Sequence, residues 1–156
     1  MAFLVLSLLF ILFNLSSAAT VSYNVQTLGA KADGKTDATE YFLSAWTTAC
    51  ASAKPAQVYV PPGRYLLRNP LVFSGKNCKN TMVMRMDGIL VAPSDYNVIG
   101  NAENWIKFER VNGLAISGGT LDAQGAGLWN CKASGRSCPR GATVCSFENA
   151  LVYNFP

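Results

Sequence analysis

The chain contains no histidine, and only 14% of its 156 residues are charged. Without an imidazole there is no Ser-His-Asp triad, no Cys-His pair and no histidine metal ligand. None of the nine carboxylates adjoins another in sequence, and no two cysteines have the Cys-x-x-Cys spacing of a zinc site. These absences exclude several common hydrolase and metal-site classes. We expect neither a metal nor a cofactor.

The basic residues show no clustering. The 13 lysines and arginines give a net charge of +4 but form no run like that of a nucleic-acid-binding tail. We therefore expect no nucleic-acid partner. A weak positive field favours an anionic polymer, although ordinary surface lysines explain the charge equally well.

One long apolar run is present, and it lies at the N-terminus. Residues 2–15 are apolar except for Ser7 and Asn14, and small residues follow at positions 16–19. This pattern predicts a signal peptide over residues 1–19, cleaved after Ala18 or Ala19. A membrane anchor is the alternative, but the run is short for a span of about 20 residues. We expect a secreted chain with no membrane association after cleavage.

A helix is predicted from Ala38 to Cys50, because apolar residues recur there at helical spacing. They are Tyr41, Phe42, Ala45, Trp46, Ala49 and Cys50. Asp37 is placed to cap this helix, and Glu40 three residues later completes a capping-box-like pattern. The apolar face must cover another surface.

The rest of the chain is predicted as short β-strands, and no second helix is expected. The strands fall at residues 23–25, 58–60, 65–67, 71–73, 81–86 and 89–91. Asp33-Gly34 and Asp87-Gly88 indicate turns between elements, because glycine tolerates positive φ.

A faint repeat indicates how the strands are arranged. One segment runs from Phe108 to Ile116, and a second of equal length runs from Phe147 to Phe155. Short strands in repeating units favour a β-solenoid, in which each coil packs on the next. A flat β-sandwich is the alternative.

Several segments resemble the N-terminal part of plant polygalacturonases. In chain order they are Tyr23–Asp37, Phe42–Trp46, Ala49-Cys50, Val58–Leu67, Gly88–Pro93, Trp105–Phe108, Gly118–Gly125 leading to Trp129, and Cys131–Cys138. The Gly-Ala-x-x-Asp-Gly-x-Thr-Asp start is shared by several β-helix proteins, whereas the whole ordered set is specific.

The resemblance implies an all-β fold, a right-handed parallel β-helix with an N-terminal capping helix. It also implies a cell-wall enzyme that hydrolyses α-1,4 links in pectin or polygalacturonate. Such enzymes use Asn-Thr-Asp, Asp-Asp, Gly-His-Gly and Arg-Ile-Lys motifs, and none of the four occurs here. We therefore predict no catalytic residue in this chain and expect it to be inactive alone.

The N-terminal resemblance and the missing catalytic motifs together indicate the domain organisation. Residues 20–156 are interpreted as the N-terminal part of one β-helix domain, represented by its first coils and incomplete at its C-terminal end. A stack left open there would expose apolar side chains and unpaired strands, so self-association through that end is expected. The alternatives to a hydrolase are a non-catalytic module that binds wall polysaccharide and a purely structural β-solenoid.

Five cysteines leave many disulfide pairings open, and the odd number indicates a missing partner. Cys131 and Cys138 are close enough to close a small loop and form the first predicted pair. Cys50 with Cys78 is the second, joining the helix to the early coils. Cys145 is then unpaired and is interpreted as a buried thiol.

The sequence assigns no residue to substrate binding. Asp33 and Asp37 are interpreted as turn and cap residues. Trp105 and Trp129 could stack on sugar rings, but packing against the coils is the favoured interpretation. Three arginines could meet uronate carboxylates, although nothing in the sequence places them in a groove. They are Arg64, Arg68 and Arg85.

Overall fold

The computed structural model describes residues 19–153. The elements are β1 (Val21–Asn24), β2 (Asp33–Asp37), α1 (Thr39–Ala51), β3 (Ala56–Val60), β4 (Arg64–Leu66), β5 (Leu71–Ser74), β6 (Met82–Val91), β7 (Asn104–Glu109), β8 (Asn112–Asp122), α2 (Ala126–Ala133), β9 (Thr143–Glu148) and β10 (Leu151–Tyr153). The predicted signal peptide lies outside the described residues except for its last position. No helix among residues 19–153 is both long enough and apolar enough to cross a bilayer.

Strands of successive coils pair in parallel and form three faces of a β-helix. The first face contains β1, β3, the first half of β6, the first half of β8, and β10. The second contains β2, β4 and the second halves of β6 and β8. The third contains β5, β7 and β9. The predicted β-helix is confirmed, and a sandwich of antiparallel sheets is excluded.

Alternation along the strands builds the core. In β3 the side chains of Ala56, Val58 and Val60 are buried, and the two between them are partly exposed. Successive side chains of a strand point to opposite faces, so every second residue enters the solenoid. The next coil packs below in register, with Val58 paired to Met84.

Helix α1 covers the first coil, as its apolar face predicts. Phe42, Ala45 and Trp46 are at most 3% exposed, and the helix packs against β1, β3 and β5. The Trp46 indole Nε1–H donates to the carbonyl of Ser74 at 2.9 Å. Helix α1 thereby covers this end of the core, and the buried indole N–H of Trp46 has a hydrogen-bond acceptor.

An aromatic stack runs from this helix along the third face. Trp46 packs on Phe73 with ring centroids 5.0 Å apart, and Phe73 stacks on Phe108 at 5.0 Å. Phe108 in turn pairs in register with Phe147, which is 48% exposed. The repeat seen in the sequence therefore places Phe108 and Phe147 at the same position of successive coils. The pairing of β10 with β8 then shifts by one residue after Leu151.

The N-terminus of α1 differs from the predicted capping box. The cap position is Ala38, which makes no side-chain capping bond. Asp37 belongs to β2, and its Oδ1 accepts hydrogen bonds from the backbone N–H groups of Thr39 at 3.0 Å and Arg68 at 3.2 Å. Asp37 therefore holds the first turn of α1 and the end of the second coil together. Among the hydrogen bonds of residues 19–153, none involves the Glu40 carboxylate, so the reciprocal half of the box is missing.

Three further predictions were wrong. Asp33-Gly34 is not a turn between elements but the irregular start of strand β2, where Asp33 accepts hydrogen bonds from the N–H groups of Lys35 and Thr36. Asp87-Gly88 is not a turn but an irregular point within the continuous strand β6, between Met86 and Ile89. A Cβ at Gly88 would lie 2.5 Å from the carbonyl oxygen of Pro61, so glycine is needed there for coil contact. Helix α2 was missed because one of its eight residues, Cys131, is buried, and no apolar periodicity marks it.

Candidate functional site

A cavity of about 270 Å³ opens beside helix α2. Helix α2, the loop after β6 and the segment before β9 form its walls. We call it the α2 pocket. Its lining includes Tyr96, Trp105, Gln124, Leu128, Trp129, Lys132 and Arg140.

The two tryptophans of this pocket have opposite environments. Trp105 is 1% exposed, and its indole N–H donates to the carbonyl of Leu67 at 3.0 Å. Trp129 is 66% exposed, although it is one of the largest apolar side chains in the protein. The packing interpretation therefore holds for Trp105 and not for Trp129. An exposed aromatic ring beside a concave surface is typical of a binding site.

Positively charged side chains lie near the Trp129 ring. The Lys132 ammonium lies 5.2 Å from the centroid of the Trp129 ring, within the range of a cation–π interaction. The same ammonium donates to the backbone carbonyl of Arg140 at 2.7 Å. Helix α2 is thus joined to the segment that leads into β9. No acidic residue lines the α2 pocket, so this part of the described surface favours an anion.

A disulfide between Cys131 and Cys138 closes the loop next to the pocket. Inside the loop, the Ser134 hydroxyl donates to the carbonyl of Cys131, and Arg136 Nε donates to that hydroxyl oxygen. These bonds restrict the chain between α2 and the pocket wall at Arg140. Loop closure of this kind reduces the conformational freedom of the wall.

The structure also joins Cys50 to Cys78, with Cα atoms 4.2 Å apart. This bridge ties α1 to the loop that follows β5. Cys145 is a free, half-buried thiol at the end of the core, and burial raises its pKa above the ordinary value. A half-buried thiol with a raised pKa is a weak nucleophile.

A second cavity, of about 370 Å³, adjoins the first. We call it the Arg68 cleft. Its polar lining includes Lys35, Arg68, Ser94, Asp95 and Gln124. Pro93 and Gln124 line both cavities, so the two cavities are adjacent.

Only Arg68, of the three arginines considered from the sequence, faces a cavity with its charge free. Arg64 pairs with Asp122 at 2.8 Å, and Arg85 pairs with Asp87 at 3.4 Å. Within residues 19–153 the Arg68 guanidinium makes no ion pair, and it lines the cleft. The spacing of the arginines in the sequence gave no sign of this difference.

Gln124, between the two cavities, has a backbone conformation that is rare for its residue type. Its φ is 47°, in the left-handed region. Its side-chain amide donates to the carbonyl of Ala92, and its N–H donates to Asp122 Oδ1 at 3.2 Å. Arg110 and Asn149 also have positive φ, but they are matching turn residues on two coils. Gln124 has no such repeat, and unrepeated strain of this kind is often found at functional sites.

Most carboxylates of the described residues are engaged in local structure. Asp33 accepts from the backbone N–H groups of Lys35 and Thr36, Asp87 accepts from the Tyr59 hydroxyl at 2.8 Å, and Lys107 lies between Glu109 and Glu148. A third cavity lies at the apolar end of the core, with a volume of about 340 Å³. Of the three cavities, the Arg68 cleft alone has a carboxylate in its lining, that of Asp95. An inverting glycosidase needs two facing carboxyl groups about 6.5–9.5 Å apart, and none of these cavities in residues 19–153 provides them.

No metal site is evident in this part of the chain either. Among residues 19–153, no three cysteine, aspartate or glutamate side chains come close enough to hold an ion. The candidate site combines one exposed indole, several cations and a strained glutamine. Sequence reasoning named Trp129 and Arg68 but did not bring them to neighbouring cavities, since helix α2, which carries Trp129, has no periodic signal.

Comparison with known proteins is consistent with this fold. Residues 22–127 match the family described as rhamnogalacturonase A/epimerase, pectate lyase-like. A structure from Geobacillus virus E2, ORF18, superposes with a TM-score of 0.51 over 81% of this chain and 25% of that chain. At 16% sequence identity, this similarity supports the fold alone.

Several curated proteins share a higher sequence identity with this chain than that structure does. A polygalacturonase of Prunus persica is 56% identical over 147 residues, which cover 93% of this chain and 37% of the relative. An exopolygalacturonase of Zea mays is 35% identical over 135 residues, or 86% of this chain and 32% of the relative. A polygalacturonase of Malus domestica is 32% identical over 147 residues, with coverage of 89% and 31%. The chain thus spans about a third of the length of these curated relatives.

Proposed function

This chain belongs to the rhamnogalacturonase A/epimerase, pectate lyase-like family, and we propose that it forms the capping helix and first coils of a secreted polygalacturonase. The observation that carries the proposal is the 56% identity to the peach polygalacturonase across 93% of the chain. The substrate is then polygalacturonate in pectin, and the reaction is hydrolysis of its glycosidic links. In this role the present coils supply a capped scaffold and one side of the substrate surface.

The reacting carboxyl groups are proposed to come from elsewhere in such an enzyme. Inverting hydrolysis needs one carboxylic acid to protonate the leaving oxygen and one carboxylate to activate water. The carboxylates described above serve turns, strand ends and surface ion pairs. We therefore propose that this polypeptide alone does not hydrolyse polygalacturonate.

A chimeric enzyme tests the proposal. The matching N-terminal third of the Prunus persica polygalacturonase is replaced by this chain, and the release of reducing ends from polygalacturonate is measured. We expect an active chimera and an inactive isolated chain, with the unaltered peach enzyme as the positive control. A chimera that is folded by circular dichroism yet inactive would overturn the proposed function. Turnover by the isolated chain would overturn its proposed inactivity.

Secretion to the cell wall is part of the same proposal. It rests on the apolar run at residues 2–15 and on the small residues after it. Expression of the intact gene in plant cells should deliver the protein to the wall fraction. N-terminal sequencing should then begin after Ala18 or Ala19, and retention of the leader in a membrane fraction would contradict this part of the proposal.

We further propose that the isolated chain self-associates through its apolar end. That surface comprises Phe147, Leu151, Val152 and Tyr153, which are 40–60% exposed. Within the described residues, β9 pairs only with β7 and β10 only with β8, so each leaves one strand edge open to a second copy. Val152→Lys should shift sedimentation towards monomer. Val72→Lys on β5, at a residue of similar exposure away from this end, should not. A monomeric wild-type chain would contradict this proposal.

A further inference from the structure

We propose that the α2 pocket and the Arg68 cleft together bind an acidic sugar chain, with one uronate ring against Trp129. The carboxylate of that ring is bound by Lys132 and Arg140, and a neighbouring unit extends past Gln124 towards Arg68. This inference rests on the proposed function and adds to it a specific binding surface in these coils.

The first support is the exposure of Trp129. Two-thirds of this side chain is accessible to solvent beside a concave wall. Leaving so much apolar surface in water forgoes the gain from burial. A flat ring with apolar C–H groups on one side restores that gain when it covers the indole, and a sugar offers such a face. Saccharide binding therefore accounts for an exposure that packing does not explain.

The second support is the position of Lys132. Its ammonium has three N–H donors, of which one is given to the Arg140 carbonyl. This bond fixes the charge at the pocket wall and leaves two donors for a ligand. A carboxylate bound there forms charge-assisted hydrogen bonds, which are stronger than those between neutral groups. The ammonium lies over one face of the indole, so a carboxylate bound there is held close to the Trp129 ring.

The third support is continuity between the cavities. Pro93 and Gln124 line both, so a ligand that extends past these two residues reaches from the α2 pocket into the Arg68 cleft. Lys35 and Arg68 provide positive charge there, and Asp95 is the one acidic group of the two linings. A polymer with a carboxylate on each unit matches cations that are distributed along a surface rather than gathered at one point.

Single-stranded nucleic acid is also anionic and flat-ringed, but it fits the surface less well. Proteins that bind it stack successive bases on several aromatic side chains. In the linings of these two cavities, Trp129 is the one aromatic ring that is largely exposed, since Trp105 is buried and Tyr96 is partly covered. The surface therefore offers one stacking position among cations, which favours the sugar chain.

The test measures binding of a galacturonate hexamer to the full chain by titration calorimetry. Trp129→Ala should weaken binding about tenfold, since one lost aromatic contact is worth about 1.4 kcal/mol. Lys132→Gln and Arg140→Gln should each weaken binding and reduce its salt dependence. Arg136→Gln is the matched control, because Arg136 lies in the same disulfide-closed loop and binds Ser134 instead of lining the pocket.

Three outcomes would overturn the inference, given variants that keep the circular dichroism spectrum of the parent. They are unchanged affinity in Trp129→Ala, equal affinity for the fully methyl-esterified hexamer, and tighter binding of a single-stranded oligonucleotide. The same variants in the peach chimera separate this inference from the proposed function. An active chimera whose KM is unaffected by Trp129→Ala would refute the binding surface alone, whereas an inactive chimera with intact hexamer binding would refute the function alone.

Discussion

Phe108 and Phe147 stack with ring planes 9° from parallel and centroids 5.4 Å apart, at the same register of β7 and β9. Phe108 is 2% exposed and Phe147 is 48% exposed. Two identical side chains in equivalent positions thus differ in how far the described residues cover them.

This difference predicts unequal costs of truncation. Phe108→Ala should lower the free energy of unfolding by about 3–5 kcal/mol, as for a fully buried phenylalanine. Phe147→Ala should cost less than about 2 kcal/mol, because half of its surface is already in water. Urea denaturation with a common m-value measures both. Equal losses would mean that Phe147 is covered in solution.

The pH dependence of stability should depend in part on Asp33. Hydrogen bonds from the N–H of Thr36, the N–H of Lys35 and the Thr36 hydroxyl lower the pKa of Asp33 from 3.8 to about 2. A depressed pKa stabilises the fold above the unfolded-state value, and that contribution is lost as the pH falls towards about 2. Asp33→Asn keeps an acceptor oxygen but cannot titrate.

Thermal unfolding should therefore show a shallower decline in Tm for Asp33→Asn than for the parent between about pH 4 and about pH 2. Asp33→Ala serves as the comparison, since it removes the acceptor and should lower Tm at every pH. Superimposable curves for Asp33→Asn and the parent would show that Asp33 does not contribute to acid sensitivity.

Asp37 and Glu40 should differ sharply in their contributions to stability. Burial opposes ionisation of Asp37, but hydrogen bonds from Thr39 and Arg68 outweigh it and lower the pKa. Asp37→Ala removes acceptors for two backbone N–H groups and should cost about 1–2 kcal/mol. Glu40→Ala should change the free energy of unfolding by less than about 1 kcal/mol, because no hydrogen bond to its carboxylate exists in the described fold and only its charge near the helix N-terminus is lost. A loss at Glu40→Ala as large as that at Asp37→Ala would mean that Glu40 caps the helix after all.

Removing either disulfide should be destabilising, with a larger effect for the longer loop. The Cys50–Cys78 bridge spans a sequence separation of 28, and the Cys131–Cys138 bridge spans 7. Loop-closure entropy gives about 3.6 and about 2.5 kcal/mol respectively. Paired Cys→Ser variants compared by chemical denaturation test this order. A greater loss at the short loop would mean that native-state packing outweighs chain entropy there.

Much of the scaffold was predictable because its signals are local or repeated. The apolar spacing of Phe42 and Trp46 marked α1, and the recurrence of Phe108 at Phe147 marked the coil. Asp87-Gly88 misled because a glycine needed for contact between coils has the same sequence signature as a turn glycine. The group that requires glycine at position 88 is the carbonyl of Pro61, which lies one coil away and is distant in sequence.

The candidate site was less accessible to sequence reasoning. Trp129 and Arg68 are far apart in the chain and come to neighbouring cavities only through the solenoid and helix α2. That helix has no apolar stripe, because its neighbours are a pocket and solvent rather than the core. Whether an arginine is ion-paired, as Arg64 is, or free, as Arg68 is, depends on coil register that spacing does not reveal.

The cover provided by α1 at one end of the stack has a dynamic consequence. Each coil is held by its immediate neighbours, so opening begins where a neighbour is lacking and proceeds inward. Within the described residues, strand β10 pairs with β8 alone, while β3 lies between β1 and β6 beneath the helix. Amide protons of the first face should therefore exchange in a graded order, fastest in β10 and slowest in β3, which gives the molecule a fraying end and an anchored end.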